Sequence, residues 1–120
     1  MVIFLHSGNE PALIGNDDST VRYKKNLLEL SSYLLEFAIK ERFLLSVKED
    51  SLLNVMFRFD TLIGTKRYTF VRALSTELIE NADNMTEIVD AIRDEIMHEL
   101  ALAIKATLNS EKVLCESIKH

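Results

Sequence analysis

Little in this chain bends it or crosslinks it. Three glycines, one proline and one cysteine are spread over 120 residues, which excludes a collagenous or loop-rich chain and a disulfide-framed one. Cys115 has no second cysteine to pair with inside the chain, a usage that suits a reducing cytosol better than secretion. No basic residue precedes the apolar run from Met1 to Leu5, and His6, Ser7, Gly8, Asn9 and Glu10 end that run well short of a signal peptide's apolar stretch. It reads as a strand. Nor is there an uninterrupted apolar stretch of the ~18 residues a membrane helix needs, because Lys40 to Arg42 and Lys48 to Asp50 break up the greasiest region. The expectation is a soluble cytoplasmic protein with no membrane partner.

What is present suffices for a core. Of the residues 48% are hydrophobic and 28% charged, with a mass of 13.7 kDa. That composition excludes intrinsic disorder and predicts one domain, 1–120, that folds without a disulfide or metal. The net charge of -5 argues mildly against a generic nucleic-acid binder, but the charge is segregated along the chain. Residues 20–48 hold six basic and three acidic side chains, 61–76 hold Lys66, Arg67 and Arg72 with no acid, and 77–99 hold eight acids against Arg93 alone. Solvated element faces account for such blocks, and so does head-to-tail or partner docking.

Turn clusters at Gly8 to Pro11 and Gly15 to Asp18 follow the first strand. Asp18, Ser19 or Thr20 can cap a helix over about 20–44, whose apolar stripe is Tyr23, Leu27, Leu30, Leu34, Phe37 and Ala38, widened by Leu28 and Leu35. Asn84, with Glu87 three residues on, caps a second helix over 85–108 with the stripe Met85, Ile88, Val89, Ile92, Ile96, Leu100, Ala103 and Ile104. Both stripes cover more than half the helix circumference, more than one packing surface demands. Arg93 falls inside the second stripe, where a charge is costly unless paired or at an intermolecular boundary. Residues 112–118 fit either a final strand or an extension of the helix.

Between the helices, residues 52–73 switch to the Phe, Val, Tyr and Thr of strands. A five-residue loop from Thr61 to Thr65 would set Asp60 opposite Lys66. One hairpin face would then carry Arg58, Lys66, Tyr68, Phe70 and Arg72, and the other a core of Val55, Phe57, Phe59 and Val71. The fold class expected is α+β, a small antiparallel sheet made of the hairpin 52–73 and the N-terminal strand, packed against two long amphipathic helices.

Catalytic motifs fail on their spacing. His98-Glu99-Leu100-Ala101-Leu102 opens like the zinc helix His-Glu-x-x-His but has Leu102 where the second ligand belongs. Glu95-x-x-His98 has the spacing of a di-iron helix with no second motif to complete it, and the row Glu87, Asp90, Asp94 lacks a matching acidic pair on the first helix. No glycine-rich phosphate loop or nucleophile elbow occurs, and Cys115 has no evident histidine partner. No cofactor and no enzymatic activity are expected.

The run Lys66-Arg67-Tyr68-Thr69-Phe70-Val71-Arg72 resembles the octamer of RNA-recognition motifs at Lys66, Tyr68, Phe70 and Val71. Arg67 and Thr69 stand where that octamer has glycine or a small residue, and Ala73 replaces its last aromatic. The resemblance implies bases stacked on Tyr68 and Phe70. It is confined to this run, since some sixty residues separate it from Ile3-Phe4-Leu5, far more than that compact module allows.

Two functions follow as expectations. The first is a small non-enzymatic interaction protein, a homodimer or higher oligomer that regulates, inhibits or sequesters a protein partner, met by Glu87, Asp90, Asp94 and His98. The second is binding of a nucleotide or single-stranded nucleic acid such as RNA on Arg58, Lys66, Tyr68, Phe70 and Arg72. The short, acidic, glycine-poor chain also suits an accessory protein of a phage or mobile element.

Overall fold

The computed structural model describes residues 4–6, 18–50 and 53–118, with side chains described over 18–50 and 53–111. The elements are β1 (Phe4–His6), α1 (Asp18–Glu41), β2 (Leu44–Glu49), β3 (Asn54–Ile63), β4 (Lys66–Ser75), α2 (Thr76–Glu80) and α3 (Met85–Ile118). The four strands form one sheet in the order β1-β2-β3-β4, with β1 parallel to β2 and the other neighbours antiparallel. This is the small α+β fold expected, with β2 inserted between the N-terminal strand and the hairpin. The turn clusters at 8–11 and 15–17 and the side chain of Cys115 lie outside the described residues.

The apolar stripes of both helices are buried as their spacing predicts. Leu27, Leu30, Leu34, Phe37 and Ala38 of α1 and Met85, Val89, Ile92, Ile96 and Leu100 of α3 form the core with Phe43, Leu45, Val47, Val55, Phe57 and Phe59. Asn84 caps α3, its side-chain oxygen accepting from the Glu87 amide at 3.3 Å. The helix also runs beyond 108 to Ile118, so residues 112–118 are helix rather than strand. The surplus expected from the wide stripes is visible: Val21, Leu28 and Ile39 of α1 and Leu102 and Leu108 of α3 are exposed.

The first helix ends earlier than its periodicity suggests. Arg42 adopts φ 64°, its amide bonding Ile39 O at 3.3 Å while the Phe43 amide bonds Ala38 O at 2.8 Å. This is a Schellman cap with arginine in the left-handed position that usually takes glycine. The ring of Phe43 then packs on Phe37, centroids 5.6 Å apart, the apolar contact that accompanies such caps. The chain is thereby turned into β2, a strand hidden in the run Phe43-Leu44-Leu45-Ser46-Val47, which is too apolar for periodicity to separate strand from helix. Arg42→Gly is expected to raise stability by about 0.5–1 kcal/mol, read as an upward shift in a thermal melt.

The hairpin register also differs. Ile63 pairs with Lys66 across a two-residue turn of Gly64 and Thr65, and Gly64 holds φ 64° at the first central position, as in a type II′ turn. Phe57 therefore faces Arg72 and Phe59 faces Phe70, not the Thr69 and Arg67 expected from the longer loop. A shift of three residues is odd, so it exchanges the faces of β4 relative to β3. Val71 leaves the core for the open face, while Tyr68, Phe70 and Arg72 turn toward the helices.

Candidate interaction surfaces

Tyr23 locks α1 to the sheet by donating its hydroxyl to Glu49 at 2.7 Å. Burial first, then the hydrogen bond and charge of Glu49, pushes the phenol well above its ordinary pKa. A folded-state pKa above the unfolded one means that the associated stability is complete below about pH 10 and is lost as pH rises beyond it. Tyr23→Phe has no such proton to lose. The stability gap between wild type and Tyr23→Phe is expected to narrow between about pH 8 and about pH 11, measured by urea unfolding at both values.

Arg72 joins β4 to α3. Its Nε donates to Glu95 at 2.9 Å and its Nη2 to Glu99, and Nη1 donates to Val71 O at 2.8 Å. Burial alone would lower its pKa, but the hydrogen bonds and charges of Glu99 and Glu95 outweigh it and hold the guanidinium more firmly protonated. All three groups of nitrogens are engaged inside the molecule. Tyr68 is likewise engaged, its hydroxyl 3.2 Å from that of Thr107, and Phe70 packs edge-on to Phe43 with centroids 6.4 Å apart.

The structure therefore does not bring Arg58, Lys66, Tyr68, Phe70 and Arg72 onto one surface. Lys66, Tyr68, Phe70 and Arg72 share the helix side of β4, whereas Arg58 pairs with Val71 on the open face and forms an ion pair with Asp60 at 3.0 Å. The open face of β2, β3 and β4 carries Lys48, Arg58 and Arg67 but no aromatic side chain. The stacking platform implied by the octamer is folded inward because the register is set by a two-residue turn.

The acidic row on α3 keeps to one face of the helix but differs in burial. Glu87, Asp94 and His98 are exposed, while Asp90 is half-buried at the rim of a cleft between α1 and α3. Arg93, which the stripe placed in an apolar sector, stands at the same rim and pairs with Asp90 at 3.2 Å and Asp94 at 3.5 Å. Pairing at a solvated boundary removes the cost of burying its charge.

The cleft measures about 300 Å³. Tyr33, Phe37 and Val89 give it apolar walls, with Glu36, Lys40 and Glu41 of α1 facing Thr86, Asp90 and Arg93 of α3. It exists because α1 and α3 run side by side on the sheet and meet through side chains at their base. Sequence periodicity could not place it, since a cleft depends on how far two helices stand apart. Its one signal in the sequence was Arg93, a charge inside the apolar stripe of its helix. Among the described residues no three His, Cys, Asp or Glu side chains are grouped to hold a metal ion.

No protein-family model matches the chain, and no curated protein or solved structure is significantly similar to it. No helix of the described residues is long and apolar enough to cross a membrane.

Proposed function

We propose that the chain is a non-enzymatic interaction protein that regulates, inhibits or sequesters a protein partner, with the cleft between α1 and α3 as the docking surface. The observation that carries this reading is the cleft itself: an open channel with an apolar base at Phe37 and Val89, a half-exposed Tyr33 on its wall and charges along both rims. Apolar area with a polar rim is the anatomy of a protein interface. Two helices side by side present a groove of the width that takes the apolar face of a third helix. Acids outnumber cations at the rims, Glu36, Glu41 and Asp90 against Lys40 and Arg93, so the partner segment is an amphipathic helix with basic flanks. Electrostatic complementarity of this kind sets orientation and association rate more than affinity.

The test is selection of helical peptides from a random library against the purified protein. Enriched peptides are expected to carry apolar residues at helical spacing with lysine or arginine beside them. Their affinity is expected to fall about tenfold or more on Tyr33→Ala, and again on joint reversal of Asp90 and Asp94 to lysine, while Arg58→Ala on the opposite sheet face leaves it unchanged. Peptides that bind equally well to all three variants would place the docking surface elsewhere.

A further inference from the structure

We propose that β4 is the seam of a homodimer, in which two copies of this chain join their sheets by antiparallel β4 to β4 pairing about a two-fold axis at Val71. The proposal goes beyond the docking reading and names a surface for the self-association that the wide apolar stripes of both helices lead one to expect.

The backbone supplies the first argument. β4 is ten residues long and stands at the end of the sheet. With a two-residue turn, the flanking pair Ile63 and Lys66 exchanges both backbone bonds, and alternation along the ladder then commits Tyr68, Phe70, Arg72 and Leu74 to β3. The Thr76 amide, in the same alternating set, bonds Leu53 O at 2.9 Å. What remains is an outward row: the N–H and C=O groups of Arg67, Thr69, Val71 and Ala73 and, at the strand's end, those of Ser75, whose carbonyl as the N-cap of α2 takes the first helical bond and keeps one lone pair for a partner strand; all five residues are exposed. The edge has no proline, the sole proline being Pro11, and its pairing with β3 is unbroken by a bulge. Such an edge is a template for another strand. Only a register centred on Val71 pairs all five outward residues, setting Arg67 against Ser75 and Thr69 against Ala73. Val71 O already accepts from Arg72, but a carbonyl has a second lone pair for the strand bond.

Charge selects a second copy as the occupant. β4 begins with Lys66 and Arg67 and is followed by Glu77, and none of the three has an ion pair among the described residues. In the Val71 register the Glu77 end of each strand lies beside the Lys66-Arg67 end of the other, at both ends of the seam, and no like charges stand directly opposite. A two-fold interface requires this self-complementarity. The helix layer agrees. Glu95, which holds Arg72, marks the side of α3 turned to the β4 edge, and Leu102, seven residues on and on the same side, is 54% exposed. The same axis sets the two α3 helices antiparallel on one side of the joined sheet, where Leu102 is covered.

Light scattering on the eluting protein at about 100 µM, above the roughly micromolar dissociation constants of the weaker specific interfaces, tests this. The expected mass is twice 13.7 kDa. Val71→Lys sets two ammonium groups against each other on the axis and is expected to give a monomer with an unaltered circular dichroism spectrum. Arg67→Glu is expected to weaken the dimer about tenfold or more, and Arg67→Glu combined with Glu77→Arg to restore it, a rescue that misfolding does not produce. A wild-type monomer, or a dimer indifferent to Val71→Lys and to the charge swap, overturns the seam. Peptide binding at the α1–α3 cleft is read on the monomeric variant, so failure of the seam and failure of the docking reading remain distinct.

Discussion

Phe59→Ala is expected to remove about 3–5 kcal/mol of stability, the range of the most costly single core truncations. Phe59 is fully buried and meets Phe37 edge-on at 5.8 Å and Phe43 at 6.0 Å between centroids. Phe43 in turn meets Phe70 at 6.4 Å. One ring thus touches the helix α1, the turn that ends it and, through Phe43, the edge strand β4. Truncation leaves a cavity that these three neighbours cannot fill together, because each is tied to a different backbone element. A domain of this size holds about 5–15 kcal/mol in all, so the variant is expected to lose its melting transition by about 10 °C or more. Urea unfolding measures the loss. A change below about 1 kcal/mol would show that the aromatic cluster is not the centre of the core.

Ile79→Ala is expected to cost about 2–4 kcal/mol, with a different distribution over the structure. α2 has five residues, too few to be stable alone, and Ile79 is its one buried side chain. Its carbonyl end is held from α1 by Asn26, whose amide donates to Ile79 O at 2.9 Å and Glu80 O at 3.1 Å, and by Arg22, which pairs with Glu80 at 3.3 Å. Ser75 caps the other end, accepting from the Leu78 amide at 3.0 Å. With Ile79 shortened, the amides of α2 are expected to exchange hydrogen faster than those of β3, which lies in the centre of the sheet. Uniform acceleration across the chain would mean that α2 unfolds only with the whole. α2 also delivers the chain to the start of α3 and so sets one wall of the cleft.

The two long helices were legible because their signals are local and repeated. Leu27, Leu30, Leu34, Phe37 and Ala38 recur at helical spacing and are all buried, and Asn84 caps as its chemistry predicts. β2 was not legible. The signal that would separate it from α1 is a glycine after Glu41, and Arg42 occupies that position at φ 64°, held there by the contact of Phe43 with Phe37. α2 was hidden for a similar reason, its stability residing in Asn26 and Ile79 contacts from distant parts of the chain. On the site side, the acidic face of α3 was readable, whereas the cleft beside it and the partners of Arg93 needed both helices in place.

Composition and periodicity by themselves determined an α+β chain with two wide amphipathic helices, a hairpin, segregated charge and more apolar helix surface than one sheet covers. Those properties depend on residues within a few turns of one another. Only the tertiary structure decided the hairpin register, and with it whether Tyr68, Phe70 and Arg72 face solvent or the helices. A strand carries side chains alternately to its two faces, so an error of one turn residue reverses every assignment, and the competing registers differ in sequence by almost nothing. What separates them is long-range: Phe70 reaches Phe43, Tyr68 reaches Thr107 and Arg72 reaches Glu95 and Glu99 in one register alone.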